Sequence, residues 1–288
     1  VPGSTDQSPQ KLAVRSEATR PVRVLMPRES YRERALVIRT YDLGEADRII
    51  VFLTQHRGLV RGVAKGVRRA RSRFGSRLQP FVELDVQFYV GRELESVTAA
   101  DTVGFYGSGI IDNITCYTAA SAVLEAAERL SLAHDEHDDR LYPLVVDTLK
   151  QLQHAPEPKL RLDTFLLQAM TVAGWAPSLY YCAQCQAPGP HHAFHPRTGG
   201  AVCGTCRPPK AADVNPEVLH AMWLLQHDRW AEAITLITAQ EQGASARDSS
   251  ESVTHEIPCA TAIHRLTKAH WQWHTERKLA SLMVLDQT

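Results

Sequence analysis

Two Cys-x-x-Cys units, Cys182-Ala-Gln-Cys185 and Cys203-Gly-Thr-Cys206, stand seventeen residues apart, a spacing expected of a zinc ribbon or knuckle. Thiolates suit a borderline-soft cation. Two residues between ligands let the chain turn tightly around it, and Gly204 relieves the steric demand of that turn. Four thiolates complete a tetrahedron and leave no position for water, so a single Zn2+ held here braces a loop and activates no nucleophile. The competing readings are two redox pairs or a chance cluster. His191, His192 and His195 lie between the pairs and offer a substitute ligand, or face solvent from a loop. The run His134-Asp-Glu-His137-Asp-Asp reads as an acidic solvated turn, with metal attraction as its alternative. Cys116 and Cys259 stand alone on apolar helical patterns, as buried thiols do in a reducing compartment.

The second chemical feature is cationic. Nine basic residues and no acidic one lie between Arg48 and Val82, whereas Glu83 to Asp163 holds fifteen acidic residues against six basic ones. The whole chain sums to zero, so only this distribution can steer a polyanion: attracted by the first segment, repelled by the second. Arg57, Arg61, Lys65, Arg68, Arg69, Arg71, Arg73 and Arg77 supply donors suited to phosphate oxygens, Gly66 permits close backbone approach, and Phe74 within the run can stack on an unpaired base. That combination suits a single strand, bound without regard to sequence because flexible arginines position a backbone without reading base edges. A solvated basic loop with no ligand is the bland alternative. Near the end of the chain His264, Arg265, Lys268, His270, Trp271, Trp273, His274, Arg277 and Lys278 place charge and indole on one helix, with Trp273 expected in the core and Trp271 available to a partner or nucleic acid. No GxxxxGK[ST] loop, HExxH pair or GxSxG elbow is present, and no His-x-Glu element accompanies a Pro-Cys-x-x-Cys, so the sequence offers no catalytic centre.

These residues need a scaffold. With 44% apolar residues in 288, the chain can build more than one core. Residues 1–30 read as a flexible tail. Short β-like runs follow at Ala35–Thr40, Arg48–Thr54, Leu59–Ala64, Phe81–Val90 and Leu94–Ala100, with a hairpin turn at Gly91-Arg92. Val82, Leu84, Val86, Phe88 and Val90 alternate with more polar neighbours, which half-buries that strand. Five short strands without long crossovers favour a small antiparallel barrel, of which the oligonucleotide-binding (OB) fold is one; a sandwich is the alternative. This domain spans 31–107.

Helical periodicity takes over at 108–178. Asp112 or Asn113 caps a first helix, Asp138 or Asp139 a second, and Pro158 opens a third that ends at Gly174. The cysteine module occupies 179–210. Helices resume over 211–288, started by Asn215-Pro216, interrupted by a polar loop at 240–257, and closed by a helix opened at Pro258 with Ile263, Leu266, Trp273, Ala280 and Val284 as its apolar stripe. The fold class is α+β multidomain. No stretch is long and apolar enough for a membrane span, and no secretory signal is seen, so the expected location is cytoplasmic, near the nucleoid.

The run Leu43-Gly-Glu-Ala-Asp-Arg-Ile-Ile, then Thr54, Gly58, Val63-Ala-Lys-Gly-Val-Arg-Arg and Leu78-Gln-Pro-Phe81, closely resembles the start of RecO, the bacterial recombination mediator family. The resemblance continues through Ala173-Gly-Trp-Ala-Pro177, both cysteine pairs and Gln272-Trp-His-Thr-Glu-Arg277, covers roughly Tyr31 to Met283, and in its four cysteines looks like the actinobacterial branch. It implies an N-terminal OB domain, a helical domain and an inserted zinc module. It also implies binding to single- and double-stranded DNA, annealing of strands coated by single-stranded DNA-binding protein (SSB), a helical surface for the SSB C-terminal tail, and loading of RecA with RecR. Lys65, Arg68, Arg69 and their neighbours occupy the family's basic OB stretch. Two rivals remain: an adaptor that binds peptides with its basic loop idle, and a zinc-dependent hydrolase of nucleic acid.

Overall fold

The computed structural model describes residues 29–133, 138–247, 257–276 and 279–285. Residues 1–28, expected as a flexible tail, His134–His137, expected as an acidic turn, the Ser-rich stretch 248–256, and Arg277 and Lys278 lie outside the described residues. Five strands close a barrel: β1 (Ser30–Leu43), β2 (Asp47–Thr54), β3 (Gly58–Ala64), β4 (Val82–Tyr89) and β5 (Glu95–Phe105), in the order β1-β2-β3-β5-β4, with β4 pairing back onto β1. All pairings are antiparallel except the short β3–β5 contact, Gly62↔Glu95 and Val63↔Ser96. This is the five-stranded barrel topology of an OB fold.

The alternating residues of β4 do what their period requires: Val82, Leu84, Val86 and Phe88 point inward and join Ala35, Val37, Ile50 and Phe52 in the barrel core. β1 and β2 carry continuous apolar runs for a different reason. Their outer faces, Leu36, Ile38, Val51 and Leu53, belong to a second core shared with the helices, so both faces are buried. The β4–β5 turn depends on Gly91, where a Cβ would lie 1.8 Å from the Leu94 carbonyl oxygen.

The helical part is built from α1 (Ile114–Ala133), α2 (Leu141–Leu152), α3 (Pro158–Val172), α4 (Pro216–Gln226), α5 (Trp230–Arg247), α6 (Cys259–Thr275) and α7 (Ala280–Leu285). Asn113 starts α1, its Oδ1 accepting from the amides of Thr115 and Cys116 at 2.9 and 3.1 Å. Asn215 starts α4 likewise, accepting from Glu217 N at 3.0 Å with Pro216 in the first turn. Gly174 closes α3 at φ +79. Cys116 and Cys259 are buried, and burial raises both thiols, that of Cys259 to about 11 with help from Glu241 and Glu217.

Barrel and helices share one polar clamp. Glu83, on the outer face of β4 and buried, accepts hydrogen bonds from the hydroxyls of Tyr106 and, at 2.8 Å, of Tyr142 on α2, with Arg34 of β1 3.5 Å away. Burial and the facing carboxylate drive both phenols well above their ordinary range. A second tie runs from Arg39 Nε to Glu128 Oε2 on α1 at 2.8 Å. Tyr142→Phe strips one donor from a buried carboxylate, and hydrogen bonds to charged groups are worth about 1.5–3 kcal/mol. The variant is expected to lose about 2 kcal/mol in urea unfolding, with far-UV circular dichroism unchanged.

Four details differ from the sequence reading. Residues 240–247 continue α5 and form no loop. Asp138 does not cap α2: the capping position is Arg140, whose amide and guanidinium Asp138 holds at 2.8 and 2.6 Å. The last helix breaks at Glu276, φ +53, into α6 and α7. The tryptophans trade places, Trp271 being 0% exposed and Trp273 49%. The buried stripe of α6 is Ile263, Leu266, Thr267, His270 and Trp271, and the two polar members disguise its centre.

Candidate nucleic-acid interface and metal centre

The cysteine module is a three-stranded sheet, order β7-β6-β8, from β6 (Ala193–His195), β7 (Gly200–Val202) and β8 (Ala212–Asp213). Its small core is Cys182, Ala193, Val202 and Ala211. The first knuckle is fixed by Gln186 N donating to Cys182 O and Cys182 N to Ala187 O, at 2.9 and 2.8 Å, and Ala183 N ties it to Ala201 O of β7 at 2.8 Å. The four sulfurs of Cys182, Cys185, Cys203 and Cys206 all lie within 4.8 Å of one another, with Cys185 and Cys203 3.7 Å apart. A tetrahedron with metal–sulfur bonds of about 2.3 Å has edges of roughly 3.8 Å, so the spacing fits a four-thiolate metal.

The proton arrangement fits as well. Burial works to raise the Cys182 thiol, but the amides of Cys185, Cys203 and Gln184 outweigh it and hold the thiol at about 6. The Cys206 amide lowers Cys203, while Cys206, hydrogen-bonded to the sulfurs of Cys203 and Cys185, keeps its proton up to about 12. A cation displaces such shared protons.

Among the described residues no histidine joins the cluster. His191 is buried against the Ala187 carbonyl at 3.1 Å, and His195 pairs with Thr198 Oγ1 at 2.7 Å. A Cβ on Gly204 would meet nothing within 4 Å, so steric relief is not what that glycine provides. The module is seated on α6: Phe194 is fully buried in the helical core, edge-on to His270 at 5.9 Å, and Arg197 lies 5.8 Å from the exposed Trp273 ring. His270 Nε2 lies 3.1 Å from Trp175 O, and among the described residues no charged group hydrogen-bonds to it; burial lowers it to about 4, so the ring packs neutral.

The basic residues are carried by the β2–β3 turn (Arg57), the middle of β3 (Arg61) and the loop 65–81. Its first turn is pinned to the β1–β2 connection: Gly66 N donates to Asp47 Oδ1 at 2.7 Å, Arg68 N to Ala46 O at 2.9 Å, and the Arg68 guanidinium to Gly44 O at 3.1 Å with Asp42 3.5 Å away. Hydrogen bonding from Arg48 and the nearby Arg68 charge hold Asp42 below the usual carboxylate range. Arg61, Lys65, Arg69 and Arg71 are exposed and make no ion pair among the described residues. Arg57 is engaged, its guanidinium 4.1 Å over the Tyr31 ring and 3.9 Å from Glu33. Arg73 and Arg77 are tied to carbonyls of β5, Val97 O at 3.5 Å and Ala100 O at 2.7 Å.

Phe74 is the residue on which the sequence reading fails. It is 1% exposed, packed with Leu78 in the barrel core, and it supports the Arg73 guanidinium 4.7 Å from its ring, so it has no face to offer a base. Two uncovered aromatics lie near the far end of the loop, Phe105 at the end of β5 and Tyr117 on α1; Tyr41, Tyr89, Tyr180, Tyr181 and Trp273 are exposed elsewhere. Phe105 was missed because β5 runs five residues past the expected Ala100, through Asp101, Thr102 and Gly104, which break the apolar alternation. The expected repulsive acidic body also shrinks. Glu83, Glu125, Glu128 and Asp163 are buried, and Arg32 bridges Asp85 and Asp101, both at 2.8 Å.

Among the described residues no helix is long and apolar enough to cross a membrane. Residues 26–106 match the family model described as Recombination protein O N terminal, and residues 111–283 match Recombination protein O C terminal. The matched segments take in the barrel, the basic loop, the helices and the cysteine module, and the chain therefore belongs to the RecO family of recombination proteins.

Proposed function

We propose that this chain is a non-catalytic DNA repair and recombination mediator. It binds single- and double-stranded DNA on the barrel, anneals complementary strands, and with RecR helps load RecA onto gaps coated by SSB, whose C-terminal tail docks on the helical part. The observation that carries the reading is the exposed set Arg61, Lys65, Arg69 and Arg71, left without carboxylate partners among the described residues, on a barrel of OB topology in a RecO-family chain. Such cations neutralise the repulsion between two phosphate backbones, and no covalent step is needed for the strands to pair. One Zn2+ held by Cys182, Cys185, Cys203 and Cys206 braces the module against α6, since four thiolates leave no open position for water; this same closure counts against a hydrolase.

The test is the pairing rate of complementary strands precoated with SSB, followed by loss of fluorophore–quencher separation. The chain is expected to accelerate pairing severalfold or more, less so as salt rises. A rate no faster than that of SSB-coated strands alone would remove the reading, and an absence of any DNA shift at low salt would favour the peptide adaptor.

A further inference from the structure

Resting on the basic loop as the phosphate track, we propose that the cleft at its far end holds an unpaired nucleobase and so gives this barrel a preference for single strands. After its first turn the loop lies along β5, with Arg73 donating to Val97 O and Arg77 to Ala100 O, so two guanidinium groups step toward the C-terminal end of that strand. There a cleft of about 480 Å3 opens between the barrel and the start of α1. Arg77 stands at its rim, and Phe81, Phe105, Ile111 and Tyr117 form its walls. Phe105 is 50% exposed and Tyr117 44%.

The walls are held, not left over. Phe81 keeps a left-handed backbone, φ +67, which a bulky side chain rarely adopts, and its ring meets Tyr117 edge-on at 5.8 Å. Phe105 and Ile111 close over Gly107, where a Cβ would lie 2.4 Å from Phe105 Cζ and 2.8 Å from Ile111 Cδ1. The lining contains one cation and no anion, with Ser76, Gln79 and Thr102 as hydrogen-bonding groups. Aromatic faces for a ring, a few polar groups for its edge and a guanidinium for the attached phosphate are the chemistry of a base on its strand. A paired base cannot present its face there without leaving its stack, so the cleft fits single strands and lets go as a duplex forms.

The experiment measures, by fluorescence anisotropy on the full chain, the affinity for an oligothymidylate and for an abasic phosphodiester of equal length. Wild type is expected to bind the base-bearing strand roughly fivefold tighter or more, the scale of one stacked base. The double variant Phe105→Ala/Tyr117→Ala is expected to bind both strands alike with an unchanged salt slope, and Phe105→Trp to keep the preference. Both rings are half exposed, so melting should move little. If the double variant melts early, Gly107→Ala displaces the Phe105 ring instead and is expected to erase the same preference. Salt-dependent binding with no discrimination by wild type, or discrimination unchanged in the variants, overturns the proposal and returns the cleft to a protein contact. Failure to bind either strand at low salt brings down the phosphate track as well.

Discussion

Replacing Arg68, Arg69 and Arg71 together by glutamate is expected to weaken binding of an unstructured single strand by at least about a hundredfold at low salt. Arg69 and Arg71 are exposed and unpaired among the described residues, so reversing them removes two free cations and adds two anions where the phosphates would lie. Arg68 adds a structural element: its guanidinium reaches Gly44 O, and a carboxylate in its place would face Asp42. The pair Arg69→Glu/Arg71→Glu therefore separates charge from loop anchoring and should retain most of the loss. With a slope of roughly −0.7 in log affinity against log salt per single-strand phosphate contact, the triple variant should also flatten the salt dependence by about two. Helical content comes from α1 to α7, whereas these residues lie in the loop between β3 and β4, so far-UV circular dichroism should not change. Unchanged affinity would reject the loop as the binding surface.

Cys206→Ser is expected to drop bound zinc from about one ion per chain to well below stoichiometry and to lower thermal stability by several kcal/mol, roughly 10 °C or more for a chain of this size. Cys206 is the informative choice because it is partly exposed, so serine costs little packing, whereas Cys182 is fully buried and its loss would mix cavity with metal. The module's own apolar core is four residues, too small to hold its sheet without another constraint. What it loses will be felt through Phe194, which sits in the helical core beside His270. Single-strand binding well below the melting temperature should survive, since the barrel is closed by its own ladder. Metal retention with unchanged melting in the variant would show that the fourth thiolate is not a ligand.

How far the sequence could be read depended on whether a residue's surroundings repeat along the chain. The barrel was legible because strand alternation in β4 and the turn at Gly91 are local, and the cysteine cluster because its ligand spacing is itself the constraint. Helix starts at Asn113 and Asn215 were legible through capping chemistry. What failed depended on distant packing. Phe74 lies inside a basic run yet turns into the barrel, because that core needs a plug that the five strands do not supply. Trp271 and Trp273 exchanged roles because Thr267 and His270 occupy core positions in α6, His270 facing Phe194 from the inserted module. Phe105 became visible only when β5 was seen to continue and α1 to leave its ring uncovered.

Hydrogen–deuterium exchange of the full chain with and without a short oligothymidylate tests the central claim most directly. Slowed exchange is expected in the loop from Gly66 to Arg77 and in the β1–β2 connection that anchors it, with little change across α2 to α7. Protection confined to the helical half, with that loop exchanging as fast as in the free protein, would contradict the account.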